Sequence, residues 1–94
     1  MTARENLADR IEKVRFTPAR FRGGYEMGMI DTLLDDLASR ARQGQRLAPS
    51  VPAEEPGVVR FREGYRCDEV RVFLQDVLRE ARERVPDWLT AQSG

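Results

Sequence analysis

The sequence predicts an all-α fold: a short N-terminal helix, then two loop–helix repeats whose helices pair in coiled-coil fashion. Three observations predict it. The heptapeptide RFRGGYE (20–26) returns forty positions later as RFREGYR (60–66). With an aromatic between two arginines, then Gly and Tyr, it suits neither a helix nor a regular strand, so it reads as a loop. After each copy, apolar residues recur at steps of four, three and four: Ile30, Leu34, Leu37 and Ala41, then Val70, Leu74, Val77 and Ala81, the seam of a two-helix coiled coil.

Each element has its own warrant. Leu7, Ile11 and Val14 are spaced for an amphipathic helix over about 4–14. The first repeat helix is expected over 27–43, where Gly44 can end it in left-handed backbone. GQRLAPSVPAEEPG (44–57) holds three prolines and two glycines and reads as a linker without regular structure. The second repeat helix is expected over 67–85. Asp68 and Glu69 sit in its first turn, where they favour the positive end of the helix dipole, and Pro86 ends it because its ring cannot follow the turn. Trp88 and Leu89 can fold back on that helix, and 90–94 reads as a frayed tail. The chain thus divides into 1–43, the linker 44–57, the second repeat 58–89 and the tail.

The repeat extends beyond the heptapeptide. Leu34, Asp36, Ala41 and Arg42 recur as Leu74, Asp76, Ala81 and Arg82, which points to a duplication. Neither helix can hide its stripe alone, and isolated helices of this length are marginal in water. Ile30, Leu33, Leu34 and Leu37 are therefore expected to meet Val70, Phe73, Leu74 and Val77. Their burial contributes on the order of 10 kcal/mol before chain entropy is subtracted. The partner repeat can lie in the same chain or in a second copy, so monomer and homodimer both stay open, as do parallel and antiparallel pairing. A parallel pair would bring the two loops to one end.

Composition excludes several classes. Sixteen basic residues balance sixteen acidic ones, so no global field holds nucleic acid, and none is expected as a partner. With no His and a single Cys, the usual zinc sites and the Ser-His and Cys-His catalytic pairs cannot be built. The expectation is a non-enzyme with no metal, cofactor or small-molecule substrate. MTARENLADR lacks the apolar core of a signal peptide, and no apolar run approaches the ~20 residues that span a bilayer. A cytoplasmic protein is expected.

VRFTPARFRGGYEMGMIDTLLDDL (14–37) and VVRFREGYRCDEVRVFLQDV (58–77) both resemble the N-terminal domain of DivIVA-type proteins. That pattern runs from a Phe through a polar stretch and an Arg near Gly-Tyr to an acidic helix start, then Val, Asp and Phe-Leu. The second copy keeps Gly64-Tyr65, Asp68-Glu69-Val70 and Phe73-Leu74; the first keeps Phe16, Gly24-Tyr25, Asp31 and Leu34. The resemblance implies a cytoplasmic bacterial protein of cell division or polar growth. It also implies an intertwined parallel dimer, with a loop Phe beside an Arg touching the inner membrane leaflet. Phe21 with Arg22 and Phe61 with Arg62 match those positions. The copies depart from each other at Glu26 and Arg66, Asp31 and Arg71, Leu33 and Phe73, and Phe16 and Pro56.

The candidate lipid-binding residues are accordingly Phe16, Arg20, Phe21, Arg22, Arg60, Phe61 and Arg62. An aromatic wedge can enter the acyl boundary while guanidinium groups hold anionic headgroups, each worth ~1 kcal/mol near such a surface. The alternative for Phe21 and Phe61 is a plug in the core. Tyr25 and Tyr65 are expected to close each loop on the first helical turn, and Gly24 and Gly64 to permit positive φ or close approach. Cys67, at a helix start, reads as an inert thiol. Two functions fit: a small division- or polarity-associated adaptor that binds proteins and the inner membrane leaflet, or a soluble protein–protein interaction module without lipid affinity.

Overall fold

The computed structural model describes residues 3–21 and 23–90, and it corrects the all-α expectation to a mixed α/β fold. In chain order the elements are α1 (Ala3–Lys13), β1 (Pro18–Ala19), β2 (Gly24–Glu26), α2 (Met27–Gln43), β3 (Val58–Val59), β4 (Gly64–Tyr65), α3 (Cys67–Glu80) and α4 (Asp87–Thr90). A short 3-10 turn, Ala48–Ser50, interrupts the linker. The four strands make one antiparallel sheet in the order β1-β4-β2-β3. Two- and three-residue strands are too short to show alternation, so the heptapeptides read as loops although Gly-Tyr in each is sheet.

The sheet interleaves the repeats. β1 of the first pairs with β4 of the second, Pro18 opposite Tyr65 and Ala19 opposite Gly64. β3 of the second pairs with β2 of the first, Val58 opposite Tyr25 and Val59 opposite Gly24. Replacing each residue by its equivalent forty positions away in the other repeat turns the first register into the second, and the central pair sets Tyr25 against Tyr65. Exchanging the two repeats maps the strand order onto itself. Each loop must cross the other repeat's central strand, so neither half can complete a sheet alone.

The helix stripes do face inward. Ile30, Leu33, Leu37, Val70, Leu74 and Val77 share one core, with Leu34 and Phe73 half-buried against it. Their partners differ from the expected seam. α1 packs along α2 through Leu7, Ala8 and Ile11, whereas α2 and α3 do not run side by side. Arg42 ion-pairs with Asp9 and Glu12, and Arg10 reaches Glu80 of α3 at 2.7 Å. Leu47, Val51, Trp88 and Leu89 complete the core. These segments supply apolar surface that a two-helix seam would otherwise have provided, and the coiled coil is not needed to exclude water.

The linker is also more ordered than its prolines imply. The Glu83 carboxylate accepts backbone N–H groups from Leu47 and Ala48 at 2.7–2.9 Å, and the Trp88 indole N–H donates to the Pro52 carbonyl at 2.8 Å.

Helix ends follow local chemistry. The Glu26 carboxylate caps α2 by accepting from Gly28 and Met29 N–H. α2 ends at Gly44 (φ 73), with Gln45 N–H on the Arg40 carbonyl. α3 stops at Glu80, short of residue 85, because the chain turns left-handed before Pro86 is reached. Arg82 has φ 60, and Glu83 N–H bonds the Leu78 carbonyl at 2.9 Å, the double-bonded ending that glycine usually serves. A side chain in that backbone costs ~1–2 kcal/mol. Arg82→Gly is therefore expected to stabilise the protein by about 0.5–1 kcal/mol, net of glycine's greater freedom when unfolded. A raised urea midpoint at unchanged m-value checks it.

Candidate functional site at the crossed loops

The two connections that cross meet at Arg20 and Gly23 on one side and at Glu63, Val58 and Arg60 on the other. Arg20 Nε reaches Glu63 Oε2 at 2.9 Å. A Cβ placed on Gly23 (φ 86) would stand 3.0 Å from Val58 Cγ1 and 3.5 Å from the Arg60 guanidinium. Gly24 and Gly64 approach more closely still: a Cβ on either would lie 2.7 Å from the other repeat's tyrosine carbonyl oxygen. Neither has positive φ; the glycines are there for close approach of two backbones.

This clamp leaves the loop aromatics outside. Phe21 is 73 % exposed and Phe61 92 % exposed, so neither is a core plug. Phe21 also holds φ 60, a left-handed conformation that a bulky residue adopts only when its surroundings enforce it; Gly23 and the Arg20–Glu63 pair anchor it on the chain's downstream and upstream sides. Arg60 and Arg62 flank Phe61 and form no ion pair among the described residues. Arg22 lies outside the described residues.

Phe16 does not belong to the loop tips. Its half-buried ring meets Tyr65 at 5.5 Å and Phe73 at 5.7 Å. Trp88 meets Tyr25 at 6.2 Å, edge to face; it thus covers the first tyrosine as Phe16 covers the second, although Pro56 is the residue that corresponds to Phe16. Nearby, Thr17 N–H donates to Glu69 at 2.7 Å and the Thr17 carbonyl accepts from Arg66 N–H.

The tyrosines are fastened across the repeats. Tyr65 donates its hydroxyl proton to Asp31 at 2.8 Å. Tyr25, fully buried, donates to Glu55 at 2.7 Å and accepts from Arg71 at 3.2 Å. Asp31 and Arg71 occupy equivalent positions of opposite charge. The reversal is accommodated by Glu55 of the linker, 3.3 Å from Arg71, which supplies the acceptor that Arg71 cannot. Burial, then the bond to Glu55, pushes the Tyr25 hydroxyl far up from its ordinary pKa; for Tyr65 the bond to Asp31 comes first and burial second. Both rings are structural neutral donors. Glu55 and Trp88 escaped sequence reading because nothing local marks a linker carboxylate or a tail indole as partners of Tyr25.

Among the described residues no group of three His, Cys, Asp or Glu side chains can hold a metal ion. Burial pushes the Cys67 thiol up, so it stays protonated at neutral pH and is a poor nucleophile. A recess of about 740 Å³ along β1 includes Arg20, Glu63, Arg66, Cys67 and Asp68, where Arg20 pairs with Glu63 and the exposed Arg66 with Asp68. Among the described residues no helix is long and apolar enough to cross a membrane. The chain matches none of the family models, curated proteins or solved structures with which it was compared.

Proposed function

We propose that this protein is a small non-catalytic adaptor of the DivIVA-domain kind, acting in cell division or polar growth at the cytoplasmic face of a bacterial membrane. The carrying observation is the pair of crossed loops that hold Phe21 and Phe61 out in solvent next to arginines. The interleaved strands support the same reading, since the family resemblance implies an intertwined pair; here one chain supplies both halves. Each phenyl ring inserted below the headgroups contributes about 1.5–3 kcal/mol, and each adjacent arginine ~1 kcal/mol. One loop binds weakly, and two on one rigid body reinforce each other. Partner proteins would then be gathered at the surface by the rest of the molecule.

Vesicle sedimentation tests this reading. The wild type is expected to sediment with vesicles rich in phosphatidylglycerol, less so at high salt, and not with purely zwitterionic ones. Phe21→Asp/Phe61→Asp should lose at least about tenfold in binding, as expected for loss of one buried phenyl ring or more. Absence of wild-type binding to anionic vesicles would remove the lipid contact and leave the soluble interaction module, which the zero net charge favours.

A further inference from the structure

A second surface lies apart from the loop tips. Beside α3, the outer side of the helix and the segment that follows α1 border a shallow, open groove of about 510 Å³. Val14, Phe16, Val72 and Phe73 line it with apolar surface, together with the carboxylates of Asp68, Glu69 and Asp76. Val72 is 51 % exposed and occupies the position that Thr32 holds in the first repeat, so an aliphatic side chain replaces a polar one off the buried stripe. Asp76 forms no ion pair among the described residues, and Asp68 has only the exposed Arg66. Arg15, the cation in the groove, bonds the carbonyls of Glu12 and Val14.

An apolar surface lined also by carboxylates calls for an apolar side chain beside cations. The molecule carries such a group itself. Phe61 is the most exposed of its large apolar side chains among the described residues, and Arg60 and Arg62 on either side are uncommitted. Phe21 is the poorer counterpart, because Arg20 is held by Glu63. The surface around Val58–Arg62 shares no residue with the groove.

We infer that the Arg60-Phe61-Arg62 tip of one copy docks into the groove of a second copy, with Phe61 against Val72 and Phe73 and the arginines beside Asp68 and Asp76. Two different patches meet, so the contact is heterologous and leaves a free tip and a free groove on every dimer; such contacts propagate into rings or open chains. The zero net charge of the chain means that copies approach without long-range repulsion. Docking uses the tip that the proposed membrane contact also uses. Self-association and lipid binding through Phe61 therefore compete.

Analytical ultracentrifugation of the full chain tests this inference. The weight-average mass of the wild type should climb past that of a dimer as concentration rises, and fall back in high salt. Phe61→Ala, which keeps the groove, and Val72→Glu, which keeps the tip, should each stay monomeric. Both changes are at exposed positions, and unchanged circular dichroism would verify folding. Mixing the two variants should yield a one-to-one dimer that grows no further, because only one tip and one groove are intact. A wild type that is monomeric throughout, variants that associate like the wild type, or a mixture that does not pair would each overturn the inference. Val72→Glu should still sediment with anionic vesicles, so loss of self-association and loss of lipid binding are read separately.

Discussion

Replacing Gly24 or Gly64 with alanine is expected to destabilise the protein by about 3 kcal/mol, the upper part of the usual cost of overpacking. The added methyl would sit 2.7 Å from a carbonyl oxygen and about 3 Å from glycine backbone atoms of the opposite repeat. Those atoms belong to β2 and β4, which are hydrogen-bonded on both sides, so no flexible side chain can yield. Relief requires the central strand pair to separate, which would also loosen the Tyr25 and Tyr65 anchorage. For a domain of this size the loss corresponds to a fall in Tm of roughly 10–20 °C. Thermal melts followed by circular dichroism would read it. Gly57→Ala is the control: nothing lies within 4 Å of its would-be Cβ, and its melt should stay close to wild type. An unchanged melt for Gly24→Ala would mean that the sheet centre is looser than described.

Trp88→Ala is expected to cost about 3–5 kcal/mol, the range for removing a buried aromatic. The indole is the edge-on neighbour of Tyr25, and its N–H holds the Pro52 carbonyl. Its loss would leave a void beside the fully buried Tyr25 and release the linker where Val51 enters the core. Trp88→Phe should recover most of the deficit by restoring ring contact, while remaining about 1 kcal/mol short for the missing hydrogen bond. Urea unfolding measures both. Equal losses for Ala and Phe would mean that the hydrogen bond, not the packing, carries the stability.

These three residues also mark how differently parts of the fold are written in the chain. The forty-residue offset of Gly24-Tyr25 and Gly64-Tyr65 is plain on inspection, and it correctly identifies a paired unit. What the pairing consists of is not visible, because a two-residue strand has no periodicity and its partner lies in the other repeat. The tail segment does pack on α3 as Trp88 and Leu89 suggested, but the indole also meets Tyr25 and the linker, which share no local pattern with it. The exchange of Asp31 for Arg71 is visible in the sequence as a departure between the copies, but the compensating charge on Glu55 is not.

Among the candidate lipid contacts, the exposed positions of Phe21 and Phe61 could not be inferred from residue type, since phenylalanine is more often inside. Phe16, of the same type and only five residues before Phe21, is half-buried against Tyr65 and Phe73. The difference is one of place: Phe16 precedes β1, over the second repeat's rings, whereas Phe21 and Phe61 lie in connections forced outward by the strands they cross.

Local order along the chain was determined by sequence alone: two helices with inward apolar faces, a first helix capped and stopped by its own flanking residues, and a duplicated unit. Helical hydrogen bonds and side-chain periodicity act over three or four residues, so the chain carries that information at short range. The sheet, the packing of α1 on α2, the ordered linker and the exposure of the loop aromatics were decided only in three dimensions. Each depends on which surfaces compete for burial once distant segments meet, and that competition has no local signature.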